Sequence, residues 1–333
     1  MRFPMATKSI RSRSTTLEAV QQLVPWQQMP MYRGVGAIAP PIQSIRNWLA
    51  QRLTSFNYIC RMHLQHCLSL LQLRETGVSA MGGQVQPGAE AWTHSGTRAT
   101  GVLVVHGFTG NPSSMRELAE IFAAEGFHVE LPRLSGHGTT VEDMIPTRWS
   151  DWSADVEAAY KVLASRCANV AVVGLSMGGA LTLWLASQHP EIAGIVCINP
   201  AAQPMADEVL AMIQSMIEGG QLTMESIGSD IADPTVKESS YDATPLQPAL
   251  SMFVDGLAPL VTKYSSIKMP MLLINSINDH VVAPEQGEFL VANYGGAIER
   301  VMLERSFHVA TQDVEKDIVN SRSMDFVKKI TKA

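Results

Sequence analysis

From residue 101 onward the chain alternates short strand-like runs with longer helical ones, and few folds accommodate that alternation. GVLVVHG (101–107), FHVELP (127–132), NVAVVG (169–174), GIVCINP (194–200), MPMLLINS (269–276) and ERVMLER (299–305) read as strands, and helical patterns lie near 113–125, 148–166, from 177, and near 313–330. Strands that are apolar on both faces need cover on both faces, and strands separated by helices pair in parallel. The sequence therefore predicts an α/β fold, a mostly parallel central sheet flanked by helices. After Pro200 the alternation lapses until the run that begins at Met269. The lapse predicts an insertion at about 201–265, a cap over the strand ends where open α/β sheets bind ligands.

The ends of the chain differ in charge. The whole carries −6, but residues 1–80 hold nine Lys/Arg against two Asp/Glu, so this segment is +7 and the remainder −13. An acidic remainder with 46% apolar and 17% charged residues overall gives no electrostatic footprint for nucleic acid. The first 80 residues read as a separate N-terminal extension, of low order or helical. No uncharged apolar stretch of signal-peptide length follows their basic start, although a basic, acid-poor leader also fits an organellar transit peptide. YICRMHLQHCLSLLQL (58–73) is interrupted by Arg61, His63 and His66 and is too short for a bilayer, which leaves a peripheral amphipathic helix. Cys60, His63, His66 and Cys67 are metal-ligand types, but structural zinc sites draw ligands from two elements across a longer spacer, so no metal is expected. Four cysteines without a secretory signal suit a reducing compartment, and a cytoplasmic location is expected.

Gly174-Leu175-Ser176-Met177-Gly178 follows a strand and opens a helix. The glycines two before and two after Ser176 allow a tight strand-to-helix turn that pushes the hydroxyl outward, the setting of a nucleophile; the alternative is a packing turn with an incidental serine. Serine is a poor nucleophile at neutral pH, so Ser176 requires a base, a group to orient that base, and donors for an oxyanion. The Met177 N–H at the helix start is one donor. The Phe108 N–H in His106-Gly107-Phe108-Thr109-Gly110, after the first predicted strand, is the other. His308 in RSFHVAT lies between the last strand and the last helix, where a base can reach Ser176, whereas His106, His137 and His189 fail on position. Asp279 follows the penultimate strand and is the candidate to orient His308, with helix capping as its alternative role. Asp255, the competing acid, falls inside the insertion and is rejected.

With these residues in place, the chain from about Met81 resembles the bacterial monoacylglycerol lipase and carboxylesterase group of the α/β-hydrolase superfamily. GVLVVHGFTG, LPRLSGHGT, GLSMGG, SIGSDIADPTVKE, DHVV and SFHVAT stand in that group's order. The resemblance begins near Met81; residues 1–80 have no counterpart in it, as an appended tail or the product of an upstream start. It implies a triad of Ser176, Asp279 and His308, oxyanion donors Phe108 and Met177, and a mobile cap that holds the alcohol end of an ester. It further implies that Ile227 and Glu238 form a glycerol pocket, and a carboxylate suits that task because it accepts hydrogen bonds from two hydroxyls. In the cap run MADEVLAMIQSMIEGG, Met205, Val209, Met212, Ile213, Met216 and Ile217 share overlapping helical faces, suited to packing or to an acyl channel. The expected partner is a small amphipathic ester, with transient contact to lipid aggregates, no transmembrane segment and no cofactor. The expected reaction is hydrolysis of monoacylglycerols. The rival readings are a general carboxylesterase or acyl thioesterase using the same triad, or a non-catalytic hydrolase-like scaffold that binds an apolar ligand.

Overall fold

The computed structural model describes residues 83–226 and 228–332. The expectations for the N-terminal extension, for Cys60, His63, His66 and Cys67, and for Ile227 lie outside the described residues. In chain order the principal elements are β1 (Trp92–His94), β2 (Thr100–Val105), α1 (Arg116–Ala124), β3 (His128–Leu131), α2 (Trp149–Ala164), β4 (Asn169–Leu175), α3 (Met177–Gln188) and β5 (Gly194–Ile198). They continue with α4 (Asp207–Glu218), β6 (Thr223–Glu225), β7 (Ala243–Pro245), α5 (Leu246–Ser251), β8 (Met271–Ser276), α6 (Glu285–Asn293), β9 (Ile298–Leu303) and α7 (Lys316–Thr331).

Seven strands form one sheet in the order β1-β3-β2-β4-β5-β8-β9. Every pairing within it is parallel except β1 with β3, where Trp92 faces Leu131 and His94 faces Val129. The parallel part is the one read from the strand pattern. β1 is an edge strand of three residues, too short to show a period.

The period of two along each strand divides the core. Leu103, Val105, Val172, Ile195, Cys197 and Leu273 point to one face, where Trp152, Val156, Leu181 and Leu290 of α2, α3 and α6 cover them. Val102, Val104, Val173, Val196 and Ile274 point to the other, against Leu118 and Phe122 of α1 and Val319 and Val327 of α7. Burying each such side chain contributes roughly 1.5–3 kcal/mol, so the two layers account for most of the drive to fold. α3 is buried over most of its circumference, as its all-round apolar sequence requires. Among the described residues no helix is long and apolar enough to cross a membrane.

Between β5 and β8 the chain leaves the sheet. An antiparallel pair of short strands, β6 and β7, lies here, and α4 and α5 build a small core of their own, in which Ile213, Leu246 and Leu250 are buried against Met205, Leu210, Met216 and Ile217. The apolar set foreseen on α4 thus divides by face. Ile213, Met216 and Ile217 pack, while Val209 and Met212 are exposed at 38% and 55%.

Candidate active site

Ser176 sits at the corner between β4 and α3 with φ 57° and ψ −119°. A non-glycine residue adopts this region only when the surroundings enforce it. Here they do. A Cβ at Gly178 would run into the Val105 and His106 carbonyls, and one at Gly174 into the Gly178 carbonyl, so only glycine permits the turn to close. The Ser176 N–H donates to the Ile198 carbonyl at 2.9 Å, and the Ser176 carbonyl accepts from Gly179, Ala180 and Ala201. The hydroxyl is consequently held at the mouth of the sheet at the N-terminus of α3, where helix dipole and unused N–H groups favour negative charge.

His308 and Asp279 arrive from the loops after β9 and β8. His308 Nδ1 lies 2.7 Å from Asp279 Oδ2, and both residues are buried. Asp279 Oδ1 is occupied by the N–H groups of Val281 and Val282 at 2.8 and 2.7 Å, so the carboxylate is fixed on both oxygens. A carboxylate only accepts, so His308 carries its proton on Nδ1, which leaves a lone pair on Nε2. Asn199, which follows Ile198 at the end of β5, donates through Nδ2 to the His308 carbonyl at 2.8 Å. Two consecutive residues, Ile198 and Asn199, therefore tether both the serine and the histidine. Neither Ser176 Oγ nor His308 Nε2 is hydrogen-bonded to another described group, and contacts of this kind commonly tighten only when substrate is bound.

The loop after β2 completes the wall. A Cβ at Gly107 would lie 3.3 Å from Ser176 Cβ and 3.8 Å from its Oγ, which places this loop directly beside the serine. Among the described residues no turn or cap bond takes the Phe108 or Met177 N–H. The Phe108 ring packs edge-on against Trp152 at 5.7 Å and His137 at 6.4 Å, which anchors the loop from beneath. His106 lies deeper: its Nε2 accepts from the Leu134 N–H at 3.2 Å, and burial holds its pKa down to about 4, so it is a neutral supporting group.

Glu238 reaches this wall from the cap. A Cβ at Gly110 would meet Glu238 Oε1 at 2.8 Å. The flanking chain is stitched to the same loop: Tyr241 N–H donates to the Thr109 carbonyl at 3.1 Å, and Asn111 Nδ2 donates to the Ser239 carbonyl at 2.6 Å. The side chain is half-buried, and desolvation pushes its carboxyl up to about 7 against the opposing pull of His308. The other candidates lie elsewhere. Asp255 accepts from Ser251 Oγ at 2.6 Å within the insertion, and His189 is held by Glu157 and Glu191 at the end of α3.

Two buried carboxylates that the sequence reading passed over join the insertion to the histidine loop. Asp230 receives the His308 and His280 N–H groups, both at 3.1 Å. Asp313 receives those of Phe307, Ala232 and Asp233 at 2.7, 2.9 and 3.1 Å. Asp230 stands inside SIGSDIADPTVKE, but its partners are 50 and 78 residues away, and no local pattern announces them.

A family model described as serine aminopeptidase, S33 (Hydrolase_4) matches residues 97–315. A thermostable monoacylglycerol lipase of Bacillus sp. (strain H-257) is 44% identical over 232 residues, 69% of this chain and 90% of that one. A carboxylesterase of Bacillus subtilis (strain 168) is 28% identical over 234 residues, 69% of this chain and 92% of its own length. Among solved structures, one from work on the metagenome-derived lipolytic enzymes LipS and LipT has a TM-score of 0.70 at 44% identity, covering 74% of this chain and all of that one. The Paleococcus ferrophilus monoacylglycerol lipase, at 17% identity and a TM-score of 0.58 over 72% of this chain and 98% of its own, shares the fold. The match spans the turn at Ser176, the insertion between β5 and β8, and both loops that meet at Asp279 and His308: the chain belongs to the Hydrolase_4 (serine aminopeptidase, S33) family of the α/β-hydrolase superfamily.

Proposed function

We propose that this chain is a serine ester hydrolase that cleaves monoacylglycerols into fatty acid and glycerol through an acyl-enzyme. The observation that carries the reading is 44% identity over 90% of the length of a monoacylglycerol lipase, and it is supported by the 2.7 Å pair of His308 and Asp279 on the loops after β9 and β8. His308 Nε2 takes the Ser176 proton as Oγ attacks the ester carbonyl. The oxyanion that forms is met by the Phe108 and Met177 N–H groups, and Asp279 holds the imidazolium in place. Collapse of the tetrahedral species transfers the proton from His308 to the glycerol oxygen and leaves the acyl group on Ser176. Water, deprotonated by His308, then repeats the sequence and releases the fatty acid.

The cap supplies the leaving-group side of the pocket, with Glu238 accepting hydrogen bonds from the glycerol hydroxyls beside the oxyanion loop. The free thiols Cys167 and Cys197 support a reducing, cytoplasmic setting. The test is steady-state hydrolysis by the full chain of a monoacylglycerol, a simple ester and an acyl thioester of equal acyl length. Preference for the monoacylglycerol, abolished in Ser176→Ala, is expected. Equal kcat/KM on all three substrates would assign a general esterase instead.

A further inference from the structure

The segment that carries Glu238 begins at Asp230, and there it is joined to the catalytic loops rather than to the cap core. Asp230 is buried, with a side chain 9% exposed. Its Oδ2 accepts the backbone N–H groups of His308 and His280, each at 3.1 Å, and its Oδ1 lies 2.8 Å from His280 Nδ1. Its own carbonyl accepts the Val309 N–H at 3.1 Å. One carboxyl group thus holds the residue proposed as base and the residue immediately after the proposed acid. The 2.7 Å bond between Asp279 and His308 spans two loops that leave different strands, so its length depends on what fixes those loops to each other.

From the sheet side they are fixed by Asn199 and Ser276, whose side chains donate to the His308 and Phe307 carbonyls at 2.8 Å each. From the opposite side Asp230 grips the N–H groups. Asp313 braces the same segment in the reverse direction, accepting N–H groups from residues 232 and 233 of the segment and from Phe307 of the loop.

We propose that Asp230 is a positioning residue for the reaction: from the inserted segment, its carboxylate clamps the loop of His308 to the loop of Asp279 and so holds the base in line with Ser176. The proposal rests on the catalytic reading of Ser176, Asp279 and His308. Charge is not the requirement; an acceptor oxygen at this point is. An asparagine carbonyl accepts the same two backbone N–H groups, and its amide donates to His280 Nδ1 in the other tautomer. A leucine of similar size offers no acceptor and leaves two N–H groups near the base without partners. Sub-ångström errors in the placement of a reacting group reduce turnover steeply, by about 100-fold for 1 Å. Asn199 and Ser276 remain in such a variant, so the loss stays well short of that for a missing triad member, which is on the order of 10⁴-fold or more.

The experiment compares Asp230→Leu, Asp230→Asn, Ser176→Ala and His308→Ala in the full chain. Turnover of monoacylglycerol is referred to sites titrated to completion with a fluorophosphonate, so that misfolded molecules do not count; the two triad variants are referred to total folded protein. Asp230→Leu is expected to lose about 10- to 100-fold in kcat with KM changed by less than about threefold, and to label correspondingly slowly. Asp230→Asn is expected to keep at least about a third of the native kcat, on the same reasoning. A merely structural role lowers Tm and leaves kcat per titrated site unchanged, and that result in Asp230→Leu overturns the proposal. Equal kcat losses in the Asn and Leu variants also overturn it, because the acceptor is then not what matters. If Asp230→Leu gives no folded protein, Asp230→Ala carries the comparison; failure of both to fold while Asp230→Asn folds assigns the residue to stability and also overturns the proposal. Native turnover in Ser176→Ala or His308→Ala marks failure of the catalytic reading itself, which is separable because it does not depend on Asp230.

Discussion

Replacing Glu238 tests the substrate pocket, and the structure sets both the size and the pH dependence of the effect. Desolvation raises its carboxyl from the ordinary 4.5 to about 7, so the group changes charge within the working range of the assay. In the proposed pocket the ionised group would accept from two glycerol hydroxyls; protonated, it would lose one acceptor position and the charge. Hydrogen bonds to a charged group are worth about 1.5–3 kcal/mol and neutral ones about 0.5–1.5. With the carboxylate ionised, Glu238→Ala should therefore lose about 10- to 150-fold in kcat/KM on monoacylglycerol. A p-nitrophenyl ester of the same acyl chain has no hydroxyls to hold and should change little. The ratio of the two kcat/KM values cancels the titration of groups common to both reactions. In the native chain it should rise roughly fivefold or more between pH 6 and 8.5, the difference between a neutral and a charged acceptor, and in Glu238→Gln it should be flat. Glycerol release measured by a coupled enzyme and p-nitrophenolate absorbance provide the two rates. A native ratio independent of pH, or equal losses on both substrates in Glu238→Ala, refutes the pocket assignment and leaves Glu238 as a support for the cap.

The same burial has a consequence for stability. A carboxyl raised in the folded state holds its proton longer than the unfolded chain does, so its contribution falls as pH rises from 4.5 through 7. Glu238→Gln should accordingly be about 1–2 kcal/mol more stable than native at pH 8, after discounting for partial exposure, and no more stable at pH 4, by urea denaturation. His106 acts in the opposite direction. Burial holds it at about 4 against an ordinary 6.5, so the unfolded chain takes up the proton first, and stability falls by about 3 kcal/mol as pH drops from 6.5 to 4. His106→Asn, which keeps a donor for the Gly107 carbonyl, should flatten that slope, and an unchanged slope contradicts the assignment. Gly178→Ala places a Cβ against the Val105 and His106 carbonyls, which are backbone and cannot swing aside; a loss of ~3 kcal/mol or more in urea denaturation is expected, and a native-like midpoint would show that the turn has slack. A chain beginning at Met81 is expected to fold and to hydrolyse a soluble short-chain ester, whereas insolubility or inactivity beside an active full chain moves the domain boundary upstream.

What the sequence disclosed follows from how local the causes are. The six longer sheet strands are legible because each is buried on one or both faces by its own consecutive residues, as in Val102 to Val105 and Met271 to Ile274. Ser176 is legible because its turn needs glycines at fixed offsets, and Asp279 and His308 because chain order places them after the last two strands. β1 and the β6–β7 pair were not foreseen. Each of their strands has three residues, partly exposed, and is held by pairing partners rather than by its own pattern. Glu238 was named from resemblance alone; its approach to Gly110 depends on bonds from Thr109 and Asn111, more than a hundred residues upstream. Asp230 and Asp313 stayed invisible for the same reason: a carboxylate that binds backbone N–H groups across three loops leaves no spacing rule in the sequence.

Under the proposed mechanism Ser176 is the acyl acceptor. Incubating the full chain with a fluorophosphonate and locating the adduct by peptide mass spectrometry tests this most directly, with monoacylglycerol as competitor and the residual activity followed in parallel. One adduct per chain, on Ser176, slowed by monoacylglycerol and rising in proportion to the activity lost, is the predicted result. An adduct on another residue that tracks the loss of activity, or full activity remaining after Ser176 is stoichiometrically labelled, would contradict it.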